Sequence, residues 1–158
     1  MKVSLDGDFS KLKESLNKMA NINFLDLHKE IGEYVVSSTQ QRFRAGKSPS
    51  GEKWPKSIRA KIDRGQTLRD TKRLQNSITS KAGYDKVEIG TNVKYAAVHQ
   101  FGATIKPKRK NYLKFKIGKR WAQKKKVDIP KREFLGINNN DKDEILKIIN
   151  RHIEEASR

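Results

Sequence analysis

Tyr95-Ala-Ala-Val-His-Gln-Phe-Gly102 is short, apolar, spaced as a helix and closed by a glycine. Tyr95, Val98 and Phe101, with Ala96 and Ala97, make two helical turns, and Gly102 ends them. A strand-like run, Val87-Glu-Ile-Gly-Thr91, precedes the stretch, and a short strand-like piece, Ala103-Thr-Ile105, follows it. A second segment, Ile129-Pro-Lys-Arg-Glu-Phe-Leu-Gly136, likewise couples Pro130 and Arg132 to Phe134, Leu135 and Gly136. Neither segment holds a catalytic arrangement. Both read as joints that lock strands to helices.

Between the joints the chain is strongly cationic. Residues 106–126 hold eleven lysines and arginines and no acid: Lys106, Lys108, Arg109, Lys110, Lys114, Lys116, Lys119, Arg120, Lys124, Lys125 and Lys126. Leu113, Phe115 and Ile117 alternate with Lys114 and Lys116, so one face is apolar and the other basic. Gly118 turns the chain, and Trp121 to Ile129 reads as the returning strand, broken by Pro130. The segment 106–128 is therefore expected to be a protruding basic β-hairpin.

Upstream, Phe24, Leu27, Ile31, Tyr34, Val35, Ser38 and Phe43 follow helical spacing over about Asn23 to Ala45, with Asn23 as cap and Gly46 as stop. A weaker apolar stripe, Phe9, Leu12, Leu16 and Met19, predicts a peripheral helix from Phe9 to Asn21. Lys47 to Pro55 is a turn that carries an unexpected aromatic, Trp54, read either as folding back on the core or as an anchor for a neighbouring subunit. Residues 56–66 fit a short basic helix or a loop. Leu74 to Lys81 reads as the entry into a first strand, Gly83 to Asp85 as a turn, and Lys86 to Gly90 as its antiparallel partner. Asn138 to Asp141 has cap chemistry, and Asp141 to Ala156 is the closing helix, with Ile145, Ile149, His152 and Ile153 on one face. The expectation is one α+β domain over residues 1–158. A long N-terminal helix and a C-terminal helix pack on a small antiparallel β-sheet from which the basic hairpin extends.

Composition limits the functions open to such a chain. It has 158 residues, 34% hydrophobic and 34% charged, and a formal charge of +18. Such a charge opposes self-compaction and favours polyanions or acidic protein faces as partners. Cysteine is absent, so disulfides and thiolate metal sites are excluded. No apolar run approaches the roughly 20 residues that span a bilayer, and the first residues lack a signal-peptide core, which points to an intracellular setting and no membrane partner. His28, His99 and His152 are dispersed without metal-ligand spacing, and the acids cluster at helix ends, where capping explains them. Ser77 and Ser80 lack a base partner. The reading is non-enzymatic, with no cofactor. The basic hairpin remains open to three readings: a solvated face, sequence-blind contact with DNA phosphates, or docking on an acidic protein face. Arg132, between a proline and a buried-looking Phe-Leu pair, is suited to bridging carbonyls or a carboxylate at a joint or a subunit boundary, and the expectation is the subunit boundary.

In order, the chain presents Pro49-Ser-Gly51, Trp54, Leu68-Arg-Asp-Thr71, Leu74, Asn76-Ser-Ile78, Ile89-Gly-Thr91, Tyr95-Ala96, His99-Gln-Phe-Gly102, Pro130, Arg132 and Phe134-Leu-Gly136. Each piece alone is weak, but the ordered set, over about residues 25–155, closely resembles the phage virion morphogenesis family. These are the tail-completion proteins of contractile-tailed phages of the Mu and P2 type; the head–tail joining proteins of siphophages are more distantly similar. Two departures bear on turn geometry: Glu133 stands where the family usually has proline, and Lys72 where it usually has glycine. The resemblance implies a structural protein of phage or prophage at the tail–head junction or neck, assembled as an oligomeric, commonly hexameric, ring. Its implied partners are tail-tube or terminator proteins, head connector proteins and DNA passing through the ring. Its implied location is the bacterial host cytoplasm during assembly, then the virion. Trp54, Tyr95, His99, Phe101, Gly102, Pro130, Arg132, Phe134, Leu135 and Gly136 carry the family motif and stand as interface candidates.

Overall fold

The structure, a computed structural model, describes residues 21–108, 111–118 and 120–157. The helix expected from Phe9 lies outside the described residues apart from its last position, Asn21. The long helix α1 spans Phe24–Ala45. The Asn23 side chain caps it by accepting from the Asp26 backbone N–H at 3.3 Å, and Gly46 closes it in the left-handed conformation. Leu27, Gly32, Val35, Thr39, Arg42 and Phe43 form its buried face, at the three- and four-residue steps of one stripe. Phe24, expected on that stripe, is instead exposed.

Two antiparallel strands, β1 (Thr79–Ala82) and β2 (Val87–Gly90), pair across the Gly83–Asp85 turn and lie on α1. Gly32 makes that approach close. A Cβ there would sit 2.8 Å from Ser80 Cβ and 3.0 Å from Val87 Cγ2, closer than packed carbons tolerate.

A short helix, α2 (Ile58–Ile62), capped by Ser57, leads to α3 (Arg73–Asn76). The second departs from expectation, because the strand read from Leu74 begins only at Thr79. Leu74 and Ile78, four residues apart and each 2% exposed, enter the same core, which a helical turn achieves and an extended chain does not. Lys72 starts that turn at φ 58°, in the left-handed region where glycine is unstrained and an L side chain is not. Lys72→Gly is therefore expected to raise stability by roughly 0.5–1 kcal/mol. Urea denaturation checks this: an unchanged or lower midpoint would mean that the lysine side chain itself holds the turn.

The signature stretch forms α4 (Ala96–Phe101), followed by β3 (Ala103–Ile105), β4 (Leu113–Ile117), β5 (Arg120–Lys124) and β6 (Val127–Ile129). β4 pairs antiparallel with β5 from Leu113↔Lys124 to Ile117↔Arg120. The returning strand expected over 121–129 is thus two strands. After Lys124 it leaves β4, and β6 pairs with β3, Ala103 facing Ile129 and Ile105 facing Val127. The architecture is α+β, with its described β structure spread over three two-stranded antiparallel ribbons. The closing helix α5 (Asn139–Glu155) packs on α1 and starts with a capping box between Asn138 and Asp141.

The core gathers Phe43, Trp54, Leu74, Ile78, Val93, Ala96 and Phe134. Phe43 lies at its centre, edge-on to Trp54 at 5.4 Å and tilted against Phe134 at 5.2 Å. Trp54 folds back on this core and donates its indole N–H to the Glu133 carbonyl at 2.8 Å.

One buried ion pair escaped the sequence reading. Arg42 and Asp141, 6% and 1% exposed, pair through Nη2 and Oδ2. Arg42 Nη1 also donates to the carbonyls of Gly136 at 2.7 Å and Phe134 at 3.3 Å. Asp141 accepts from Ser38 Oγ at 2.5 Å, Tyr34 at 3.3 Å and the Asn138 N–H at 2.8 Å. The network ties α1, the Phe134–Gly136 segment and the start of α5 to one another.

Candidate functional site

The two joints expected from the sequence meet in space through one side chain. Gln100 on α4 accepts from the N–H groups of Phe134 and Leu135, both at 3.1 Å, and donates to the Leu135 carbonyl at 2.8 Å. Beside it the Arg132 N–H donates to the His99 carbonyl at 2.7 Å. Gly102 follows at φ 73° and ψ 159°, where a Cβ would meet the Lys131 nitrogen at 3.0 Å and the Ile129 oxygen at 3.1 Å. Backbone approaches backbone there, in a region essentially reserved for glycine. Gln100 was legible only as a letter in the motif. What marks it is a polar side chain facing a segment 34 residues away in sequence.

The motif residues therefore divide. Trp54, Phe134 and Arg132 are buried, and Leu135 is half-buried on the core. His99 and Gly102 are half-buried at the joint, and Pro130 and Gly136 are exposed. Tyr95 and Phe101 are 44% and 73% exposed, so α4 buries only Ala96 fully. The Arg132 guanidinium, expected at a subunit boundary, donates from Nε to the Pro55 carbonyl at 2.8 Å, and burial pushes its pKa down from the usual arginine value. Burial, then the neighbouring Arg132 charge, lowers the His99 pKa.

Lys106, Lys108, Lys114, Lys116, Arg120, Lys124, Lys125 and Lys126 are all exposed; Arg109, Lys110 and Lys119 lie outside the described residues. Cross-strand pairs share a face of a ribbon. Lys114↔Gln123 and Lys116↔Trp121 therefore lie on the outer face. Leu113, Phe115 and Ile117 lie on the inner one and line an open apolar recess of about 590 Å³ over Ile105, Val127 and Pro130. This differs from the sequence reading in two ways. Arg120 and Lys124 pair with Ile117 and Leu113 and so edge the apolar face. Trp121, whose alternation suggests burial in the core or at an interface, is 74% exposed in the single chain. The alternation of β4 was readable, but the register of β5, which assigns its faces, was not. Lys126 and Asp128, 3.8 Å apart, form an exposed pair worth little.

The histidines do not converge. His28 bonds the Gly83 carbonyl at 2.7 Å and His152 the Glu30 carboxylate at 3.0 Å. Among the described residues no group of three metal-ligating side chains comes together, and no helix is long and apolar enough to cross a membrane.

Fold and site together define a class: a small α+β protein whose motif residues are spent on joining segments, with a cationic ribbon beside the joint. The chain belongs to the phage virion morphogenesis family, whose model matches residues 8–154. It is 34% identical over 123 residues to the Mu-like prophage FluMu G protein 2 of Haemophilus influenzae, covering 78% of this chain and 73% of that protein. No solved structure matches it. Its role accordingly lies in phage virion morphogenesis.

Proposed function

We propose that the chain completes the tail or neck of the virion and supports head–tail joining as a subunit of a hexameric ring. The observation that carries the reading is the ribbon β4–β5, whose lysines face outward while its base is pinned by Gln100, Gly102 and the β3–β6 pairing. A pinned cationic ribbon suits a ring element that faces passing DNA or an acidic face of a tail-tube, terminator or connector protein. The subunit is made in the host cytoplasm and ends in the virion. No step of this role needs a reaction, so the chain acts as a structural protein. Deleting its gene from the phage or prophage is the test. Separate heads and tails in electron micrographs support the reading, and normal virions overturn it.

Trp121 favours a second reading, a sequence-independent nucleic-acid-binding module. An exposed indole beside Lys114 and Lys116 combines a stacking face with phosphate-neutralising charge. A monomer by light scattering that binds DNA tightly, with affinity falling steeply as salt rises, selects this reading over the ring.

A further inference from the structure

A recess of about 250 Å³ lies between α2, the loop before α3, α4 and Arg132. Its walls carry Arg59, Lys72, Arg73 and Arg132 against one carboxylate, Asp70, which already faces Arg59 at 3.4 Å. Leu68, Leu74 and the Tyr95 ring supply an apolar lining. We propose that this recess is a socket for an aspartate or glutamate side chain presented by a partner protein.

A buried guanidinium and a buried ring nitrogen point to a ligand. Arg132 is 5% exposed, and among the described residues its guanidinium has a carbonyl partner at Nε and no counter-ion. A buried cation without a partner charge is costly, and a carboxylate received in bidentate geometry offsets that cost. His99 lines the same recess, and its Nδ1 is buried with no hydrogen-bond partner. A satisfied core leaves few such atoms. Lys72 adds a third sign. A lysine held at φ 58°, where glycine costs less, puts a cation on the wall at the expense of backbone strain.

The shape of the site selects a protein carboxylate over a nucleic acid. Duplex phosphates are spread along an extended backbone and are met by cations spread over a surface, as on the outer face of β4–β5. A recess of this size, with an apolar lining and Arg132 in its wall, admits the end of a side chain. The socket is separate from the ribbon's outer face and holds whichever assembly step the chain serves.

The test follows the His99 ring and Arg132 Nε resonances of the full chain by NMR. The probes are N-acetyl-glutamate-N-methylamide, its glutamine counterpart, inorganic phosphate and a DNA duplex. The expected result is a saturable shift of both signals with the glutamate compound and none with the glutamine one. The double variant Lys72→Gly/Arg73→Gln is expected to weaken binding at least about tenfold, the effect of losing charge-assisted contacts. Both positions are exposed and the glycine relieves strain, so an unfolded protein does not explain that loss. Absence of a saturable shift overturns the proposal. So does equal response to the glutamine compound, binding unchanged in the double variant, or tighter binding of phosphate or DNA at these two signals.

Discussion

Asp141→Ala is expected to destabilise the protein by about 3–5 kcal/mol, the cost of leaving a buried charge without its partner. Arg42 would keep its place in the core, 6% exposed, with the carbonyls of Phe134 and Gly136 but no counter-charge. The loss is wider than one ion pair. Asp141 also receives Ser38, Tyr34 and the Asn138 N–H, and its carboxylate closes the capping box of α5. A midpoint lowered by roughly 10 °C is the thermal counterpart for a chain of this length. Urea denaturation with an unchanged slope checks it, since the slope reports the surface exposed on unfolding. Arg42→Met/Asp141→Leu separates two causes. If charge alone mattered, the apolar pair would restore stability. Because several partners are backbone groups and hydroxyls that Met and Leu cannot satisfy, most of the loss is expected to remain. A cost for Asp141→Ala under about 1 kcal/mol would show that the network is peripheral to stability.

Phe134→Ala carries the second large expected effect, about 3–5 kcal/mol from lost burial and the cavity left behind. Phe134 is fully buried against Phe43, and its backbone is held from both sides, the N–H by Gln100 and the carbonyl by Arg42. Those bonds prevent the segment from sliding inward to fill the void, which places the cost toward the upper end of that range. Phe134→Leu, closer in volume, is expected to cost less than half as much. The same urea measurement decides it, and equal losses for Leu and Ala would mean that the ring's volume is not what the site needs. In the phage, Phe134→Ala is expected to lower virion yield through subunit stability, and Lys114→Gln/Lys116→Gln through contact alone. A ribbon variant with normal yield and normal stability would remove DNA or acidic-face contact from the proposed role.

Legibility varied with the range of the forces involved. The long helix, its Asn23 cap and its Gly46 stop were readable because helical periodicity and capping are local. The alternation of Leu113, Phe115 and Ile117 placed β4 for the same reason. α3 was misread as strand because Leu74 to Ile78 is too short to show a period, and only the core behind it decides how it runs. The pairing of β3 with β6 was missed because three-residue strands carry no alternation signal and their partners lie more than twenty residues apart. Among motif residues, Phe134 and Trp54 were recognisable as large apolar groups. The joint that Gln100 makes, and the outward turns of Trp121 and Phe101, left no trace in spacing.

By itself, the sequence determined the α+β composition, the terminal helices, the cationic segment between two glycine-closed joints and the ordered motifs of a phage virion morphogenesis protein. These follow from side-chain type and short-range spacing, which act over a few residues. Tertiary structure alone decided that Arg42 meets Asp141, that Gln100 ties the joints, that Trp121 faces outward and that Arg132 lies beside His99 in a cationic recess. Those pairings join residues dozens of positions apart, and chain folding, not local propensity, brings them within hydrogen-bond reach.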